Sequence, residues 1–132
     1  LGLGMVEVLK GFHDYIIKKY DAEPGFITMN MPKLLDTLES AGINNPIICF
    51  SMNKVNFRMS GGKDLYAETL KTRKLRAIAM QVLGGGAIPP KAALEYVSKL
   101  PNVESILFGA SSKANIENTV YNIRSFDKEK IT

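Results

Sequence analysis

Lys74-Leu-Arg-Ala-Ile-Ala-Met-Gln-Val-Leu-Gly-Gly-Gly-Ala-Ile-Pro-Pro90 decides how the rest of this chain is read. Leu75 to Val82 is almost continuously apolar, the pattern of a parallel strand covered on both faces. Gly84, Gly85 and Gly86 lack a Cβ, so the backbone there can turn with positive φ or lie close to a ligand. Pro89 and Pro90 suit the start of a helix, where a missing N–H costs nothing. The stretch therefore predicts a strand, a glycine loop of phosphate-binding size and a helix.

Working outward, the same strand-then-helix unit recurs. A leading helix is expected within residues 3–20, where Met5, Val8, Leu9, Phe12, Ile16 and Tyr20 fall on one face. The first unit, residues 24–42, has a strand at Phe26 to Met29 and a helix capped by Asn30, with Pro32 in its first turn and Gly42 as its stop. The second, 46–74, has the β-branched and aromatic strand Ile47-Ile-Cys-Phe50, a long loop from Ser51 to Gly62 and a helix from Lys63. Long ordered loops are often functional. The third, 75–100, is the opening stretch with its helix stripe Ala93, Leu94, Val97 and Leu100, ended by Pro101. The fourth, 103–126, has a strand at Glu104 to Gly109, Ser111 or Ser112 as helix cap, and Ile116, Val120 and Ile123 facing inward. From Phe126 to Thr132 a frayed tail is expected.

A helix followed by four βα units predicts an α/β fold with a parallel sheet and right-handed crossovers. A complete (β/α)8 TIM barrel takes ~250 residues, so this 132-residue chain reads as a single half-barrel domain. Its terminal strands would carry unpaired backbone groups and its inner face would be apolar. A homo-oligomer or a complementary half-barrel segment is the expected partner. The competing architecture is a small open α/β sandwich with helices on both faces of the sheet. The chain opens on Leu1, which together with the half-barrel reading predicts a piece of a longer protein.

Composition narrows the function. The net charge is only +4, and the basic cluster Lys71-Thr-Arg-Lys-Leu-Arg76 falls at a predicted helix end, where cations complement the dipole; no nucleic-acid partner is expected. No apolar run approaches the ~20 residues of a membrane span. One cysteine fits a reducing, cytoplasmic setting. One Cys and one His cannot supply a zinc site with ordinary spacing, so no metal is expected. Cys49, within an apolar strand, reads as a buried inert thiol, and His13 as a surface or rim residue rather than a catalyst. Asp64, Glu68, Glu95, Glu104 and Glu117 show no pairing pattern and read as solvated charge.

Four segments, in order, carry a family resemblance. Ile78-Ala-Met-Gln-Val-Leu-Gly-Gly-Gly86 resembles the strand I-A-M/Y-x-P-L-G-G-G of the aldo/keto reductases. Gly25-Phe-Ile-Thr-Met-Asn30 is similar to that family's G-F/V/I-S-T-H-N, and Ile48-Cys-Phe-Ser-Met-Asn53 to its V-Q-x-P-Y-N. Ser105-Ile-Leu-Phe-Gly-Ala-Ser-Ser-Lys-Ala-Asn-Ile116 resembles its V-I-x-G-A-T/S-S-x-x-R/Q-I/L. The resemblance covers most of residues 24–124 and implies the second half of a reductase barrel. It implies NADP(H) at the carboxyl-end loops: Leu83, Gly84, Gly85 and Gly86 beside the pyrophosphate, and Ser111, Ser112 and Asn115 at the adenosine phosphate. Asn53, which closes the second motif, joins them as a cofactor-binding candidate. A glycine loop and a serine-capped helix both offer N–H donors to anions.

The departures matter as much. Ile27 and Met29 stand where the family has serine and histidine, and Cys49 and Met52 where it has glutamine and tyrosine. The family's acid Tyr and its supporting Asp, Lys and His belong to the first half of the barrel, so the resemblance implies no catalytic residue here. The leading expectation is a catalytically incomplete half-barrel that binds NADP(H) or another phosphate-bearing ligand, with NADP(H)-dependent carbonyl reduction the reaction of a complete barrel. The alternative is a non-catalytic assembly module with vestigial ligand loops.

Overall fold

The computed structural model describes residues 5–129. It is α/β: helix α1 (Val6–Tyr20) precedes β1 (Gly25–Thr28), α2 (Met31–Ser40), β2 (Ile47–Ser51) and α3 (Gly62–Thr72). Then follow β3 (Arg76–Met80), α4 (Pro90–Ser98), β4 (Val103–Leu107) and α5 (Lys113–Glu129). The strands pair parallel in the order β1-β2-β3-β4.

Local chemistry sets the boundaries. The Asn30 side chain accepts from the Lys33 amide at 3.3 Å, capping α2, and Pro32 occupies its first turn. Gly42 takes φ +75° after α2. Pro90 begins α4, and the Ser112 hydroxyl accepts from the Asn115 amide at 3.2 Å at the start of α5. The helix of the third unit stops at Ser98, short of Pro101.

Sequential strand order with right-handed crossovers brings successive helices onto the same side of the sheet. Phe26, Ile48, Phe50, Ala77 and Ala79 point into the core formed with Leu34, Leu35, Leu38, Tyr66, Leu70, Leu94 and Val97. The opposite face stays accessible. Its middle row is Ile27, Cys49, Ile78 and Ser105, and its carboxyl-end row includes Met80 and Leu107. Ile27 is 70% exposed and Leu107 54%. A parallel sheet with one accessible face is what a half-barrel requires, and it is not the sandwich with both faces covered.

At the amino end of this face the Arg76 guanidinium pairs with Glu23 at 2.7 Å and Glu104 at 3.1 Å. A register shift in β4 lets Glu104 reach it, because Ala77 pairs with Val103 and Ile78 with Ser105. Arg73 bridges α2 in the same way, to Asp36 and Glu39, both at 2.7 Å. Of the basic cluster, these two arginines therefore join elements instead of standing free at a helix end, and Glu104 is paired rather than merely solvated.

Four other expectations need correction. The apolar run around β3 predicted coverage on both faces, yet the strand alternates: Ala77 and Ala79 are buried, while Ile78 and Met80 are half-buried on the accessible side. No residue of α1 is buried. Leu9 packs against the core and Phe12 meets Phe26 edge-on at 5.7 Å, but most of the stripe lies open because α1 flanks only the β1 edge of the sheet. Cys49 is half-buried on the accessible face rather than buried. The helix α5 continues through Phe126, which is buried because it extends the inward row of Val120 and Ile123. Residues 3 and 4 of the expected leading helix and 130–132 of the expected tail lie outside the described residues. No helix among the described residues is long and apolar enough to cross a membrane.

Candidate functional site

An open pocket of about 390 Å3 lies at the carboxyl ends of β3 and β4. Phe57, Met80, Val82, Leu83, Leu107 and Phe108 give it apolar walls, and Gly85, Gly86 and Gly109 form its backbone lip. Gln81 is the one residue with a polar side chain in the lining. In parallel α/β proteins ligands sit at this end of the sheet, because strand termini and the following loops converge there.

The glycine loop forms a short left-handed turn. Gly84, Gly85 and Gly86 have φ of +59°, +72° and +92°. A Cβ on Gly84 would fall 2.6 Å from Val55, so a side chain there meets both steric and torsional strain. The amides of Gly84 and Gly86 donate to the carbonyls of Gln81 and Leu83, at 2.9 and 3.0 Å. Two of the three glycine N–H groups are thus engaged within the turn, which limits what the loop offers to a phosphate. What it does provide is a wall without side chains.

The loop after β2 completes the cavity. Asn53 is fully buried: its Nδ2 donates to the carbonyls of Phe57 at 3.0 Å and Gln81 at 3.3 Å, and its Oδ1 accepts from the amides of Val55 and Phe57. Those four bonds use the full capacity of the side-chain amide. Asn53 therefore fixes Phe57 in the cavity wall and ties this loop to the end of β3. The Arg58 guanidinium lies 5.2 Å from the centre of the Phe57 ring and brings positive charge near the rim.

Ser111, Ser112 and Asn115 lie together, exposed, at the start of α5. Asn115 Nδ2 donates to the Ser111 hydroxyl at 3.1 Å, and Ser112 caps the Asn115 amide. Both hydroxyls keep an O–H to donate. Leu83, Gly85 and Gly86 border the cavity; Asn53 supports it from below, and the serines stand beyond β4 on the α5 side.

Three features were not anticipated from the sequence. Gln81 has φ +53°, uncommon for a residue with a Cβ, and nothing in its identity signals it. Ser51 donates to Gln81 Oε1 at 2.6 Å across 30 residues. Tyr66 is buried, donates to the Met29 carbonyl at 2.8 Å and accepts from the Met31 amide at 3.1 Å, so α3 holds the end of β1. Burial pushes the Tyr66 phenol above its ordinary value. Burial likewise raises the Cys49 thiol, which keeps it protonated and a poor nucleophile. His13 Nδ1 lies 3.2 Å from Asp14 on α1, at the opposite edge of the fold from this cavity.

Fold and site together define a parallel α/β protein with an apolar pocket at the carboxyl end of its sheet. Compared with known proteins, the chain matches no family model, and no curated protein or solved structure matches it.

Proposed function

We propose that the chain is the ligand-binding half of an aldo/keto-reductase-like (β/α)8 barrel, taking NADP(H) or a related nucleotide and lacking catalytic residues of its own. The observation that carries this reading is the cavity at the ends of β3 and β4, beside the glycine turn that the family resemblance singles out. Its volume suits one planar ring rather than a whole dinucleotide. The fit is better for the ring than for the pyrophosphate, since two glycine amides are closed within their turn. The hydroxyls of Ser111 and Ser112, with the N-terminus of α5, would receive a phosphate. In a complete barrel the bound nucleotide would supply hydride to a carbonyl carbon.

NADPH emission, followed on titration with the purified chain, tests this. Gly109→Phe is the matching variant: a Cβ there meets nothing within 4 Å and the backbone lies outside the positive-φ region, so the side chain starts into open space at the lip without backbone strain. Binding lost in Gly109→Phe supports the reading. No binding to either protein, or equal binding to both, removes it.

The second reading is an assembly module with vestigial loops, and the accessible sheet face favours it. Ile27, Ile78, Met80 and Leu107 are large apolar groups on a face that a solvated sheet would make polar. The oligomeric partner, or a complementary half-barrel, would cover this face. The two readings are compatible, because a covered face leaves the carboxyl-end cavity in place.

A further inference from the structure

We infer that the carboxyl end of the sheet is a docking face for an anionic phospholipid surface, which it meets through unneutralised cations and exposed aliphatic side chains without crossing the bilayer. The inference goes beyond nucleotide binding and does not depend on it.

The topology gathers the charge. Each of α2, α3, α4 and α5 runs back from a parallel strand, so all of them start at the carboxyl end of the sheet. Each carries a lysine in its first turn: Lys33, Lys63, Lys91 and Lys113. A helix dipole disfavours a cation there and favours Asp or Glu. Yet α2, α4 and α5 have no acidic residue in that turn, and α3 has only Asp64. A local rule broken in every one of these helices, at one end of the fold, points to use of that end rather than to stability. The loop after β2 adds Lys54 and Arg58.

The two ends of the sheet treat their cations differently. At the amino end Arg73 and Arg76 are held by Asp36, Glu39, Glu23 and Glu104. At the carboxyl end Lys63 pairs with Asp64 at 2.9 Å and Lys113 with Glu117 at 3.7 Å. Lys33, Lys54, Arg58 and Lys91 make no ion pair among the described residues, and Glu95, one turn on from Lys91, is bound to Lys99 at 2.6 Å. Packed helices stand about 8–10 Å apart, so these charges spread over a face that no single small anion bridges. Their complement is an extended array of negative charge.

Apolar groups at the same end decide which array. Met29 just after β1, Val55 in the loop after β2 and Leu65 near the start of α3 are all exposed. Aliphatic side chains among lysines suit the headgroup boundary of a bilayer, where they enter the acyl edge while the ammonium groups meet the phosphates. A nucleic acid offers them nothing. The rings that could stack a base are already faced by the chain's own cations, Arg58 at 5.2 Å from the centre of Phe57 and Lys54 at 5.8 Å from that of Tyr96. With no helix among the described residues fit to cross a membrane, the contact is with its surface.

The test is co-sedimentation of the purified chain with vesicles of phosphatidylcholine alone or with about one-third phosphatidylserine. The wild type is expected to bind the mixed vesicles, to leave them in about 0.5 M salt, and to ignore the neutral ones. Lys33→Gln/Lys54→Gln/Lys91→Gln should weaken binding about a hundredfold, at roughly fivefold per lysine. It should keep full resistance to urea, because Lys33 and Lys91 oppose a helix dipole. Lys71→Gln/Lys74→Gln, at the amino end, should lose less than about fivefold in all. Val55→Ser/Leu65→Ser should lose at least about fivefold at unchanged charge. Absence of binding to the mixed vesicles overturns the inference, as does an equal loss in the two lysine variants or undiminished binding by Val55→Ser/Leu65→Ser. Anisotropy of a labelled single-stranded oligonucleotide addresses the rival: binding there with none to vesicles gives the face to a nucleic acid and removes the inference.

Discussion

The two faces of the sheet are made of similar residues and meet opposite environments. On the covered side Phe26, Ile48 and Phe50 disappear under the helices, joined by the small Ala77 and Ala79. On the other, Ile27, Ile78, Met80 and Leu107 are partly or largely in water. Within β3 the larger side chains are the accessible ones. Hydrophobicity therefore does not select which side of this sheet is buried; chain topology does, because sequential right-handed crossovers deliver successive helices to one side. The small residues of β3 fit where a helix layer packs close, and the large ones stand where a wider interior would need filling.

The sharpest way to break this contrast is to truncate the covered face. Phe50→Ala removes a fully buried ring that contacts Tyr66 edge-on at 5.7 Å. The expected cost is about 3–5 kcal/mol, from lost transfer energy and the cavity left behind. Urea denaturation monitored by circular dichroism measures it, and a loss below about 1 kcal/mol would show that this side is loosely packed.

A smaller effect is expected where α3 holds the end of β1. Tyr66→Phe deletes one donor and one acceptor, leaving the Met29 carbonyl and the Met31 amide without that partner, at about 1–2 kcal/mol. It also carries a pH signature. Burial holds the phenol above its ordinary value of 10.0, so the folded state keeps a proton that the unfolded chain releases. This stabilisation is complete below about pH 10 and fades as pH rises through the folded-state value. Between about pH 9 and about pH 11 the wild type should lose urea resistance more steeply than Tyr66→Phe. Parallel pH dependence in the two proteins would count against a buried phenol.

Much of the fold was legible because its signals are local. Asn30, Gly42, Pro90 and Ser112 each act within a few residues of themselves, so cap and turn chemistry located α2, α4 and α5 from sequence. The glycine run was legible as a turn, but not that its own carbonyls would take two of its amides. Gln81 was not legible at all. Its conformation is set by Ser51 and Asn53, about 30 residues earlier in the chain, and glutamine has no intrinsic preference for a left-handed backbone that would announce it. The faces of β3 were misread for a related reason: a run in which nearly every residue is apolar has no period to show which side will be covered. That side is decided by where the helices land.

The smallest expected effect probes the accessible face. Ile27→Lys places a charge at a position already 70% exposed, so folding of the chain should change by less than about 0.5 kcal/mol. A loss of several kcal/mol would mean that this face is covered within a single chain. The same variant separates stability from assembly. Row by row, Ile27 lies beside Cys49 and Ile78, and an ammonium among them would be desolvated by any partner that closes over the sheet. If the face is an interior wall shared with a second half, light scattering should show Ile27→Lys shifting the mass distribution toward the 14.5 kDa chain. Phe50→Ala instead acts through folding and exposes the unfolded chain. An unchanged mass for Ile27→Lys would leave the carboxyl-end cavity untouched and remove the assembly reading, since the cavity depends on Phe57, Gln81 and the glycine turn rather than on the middle of the sheet.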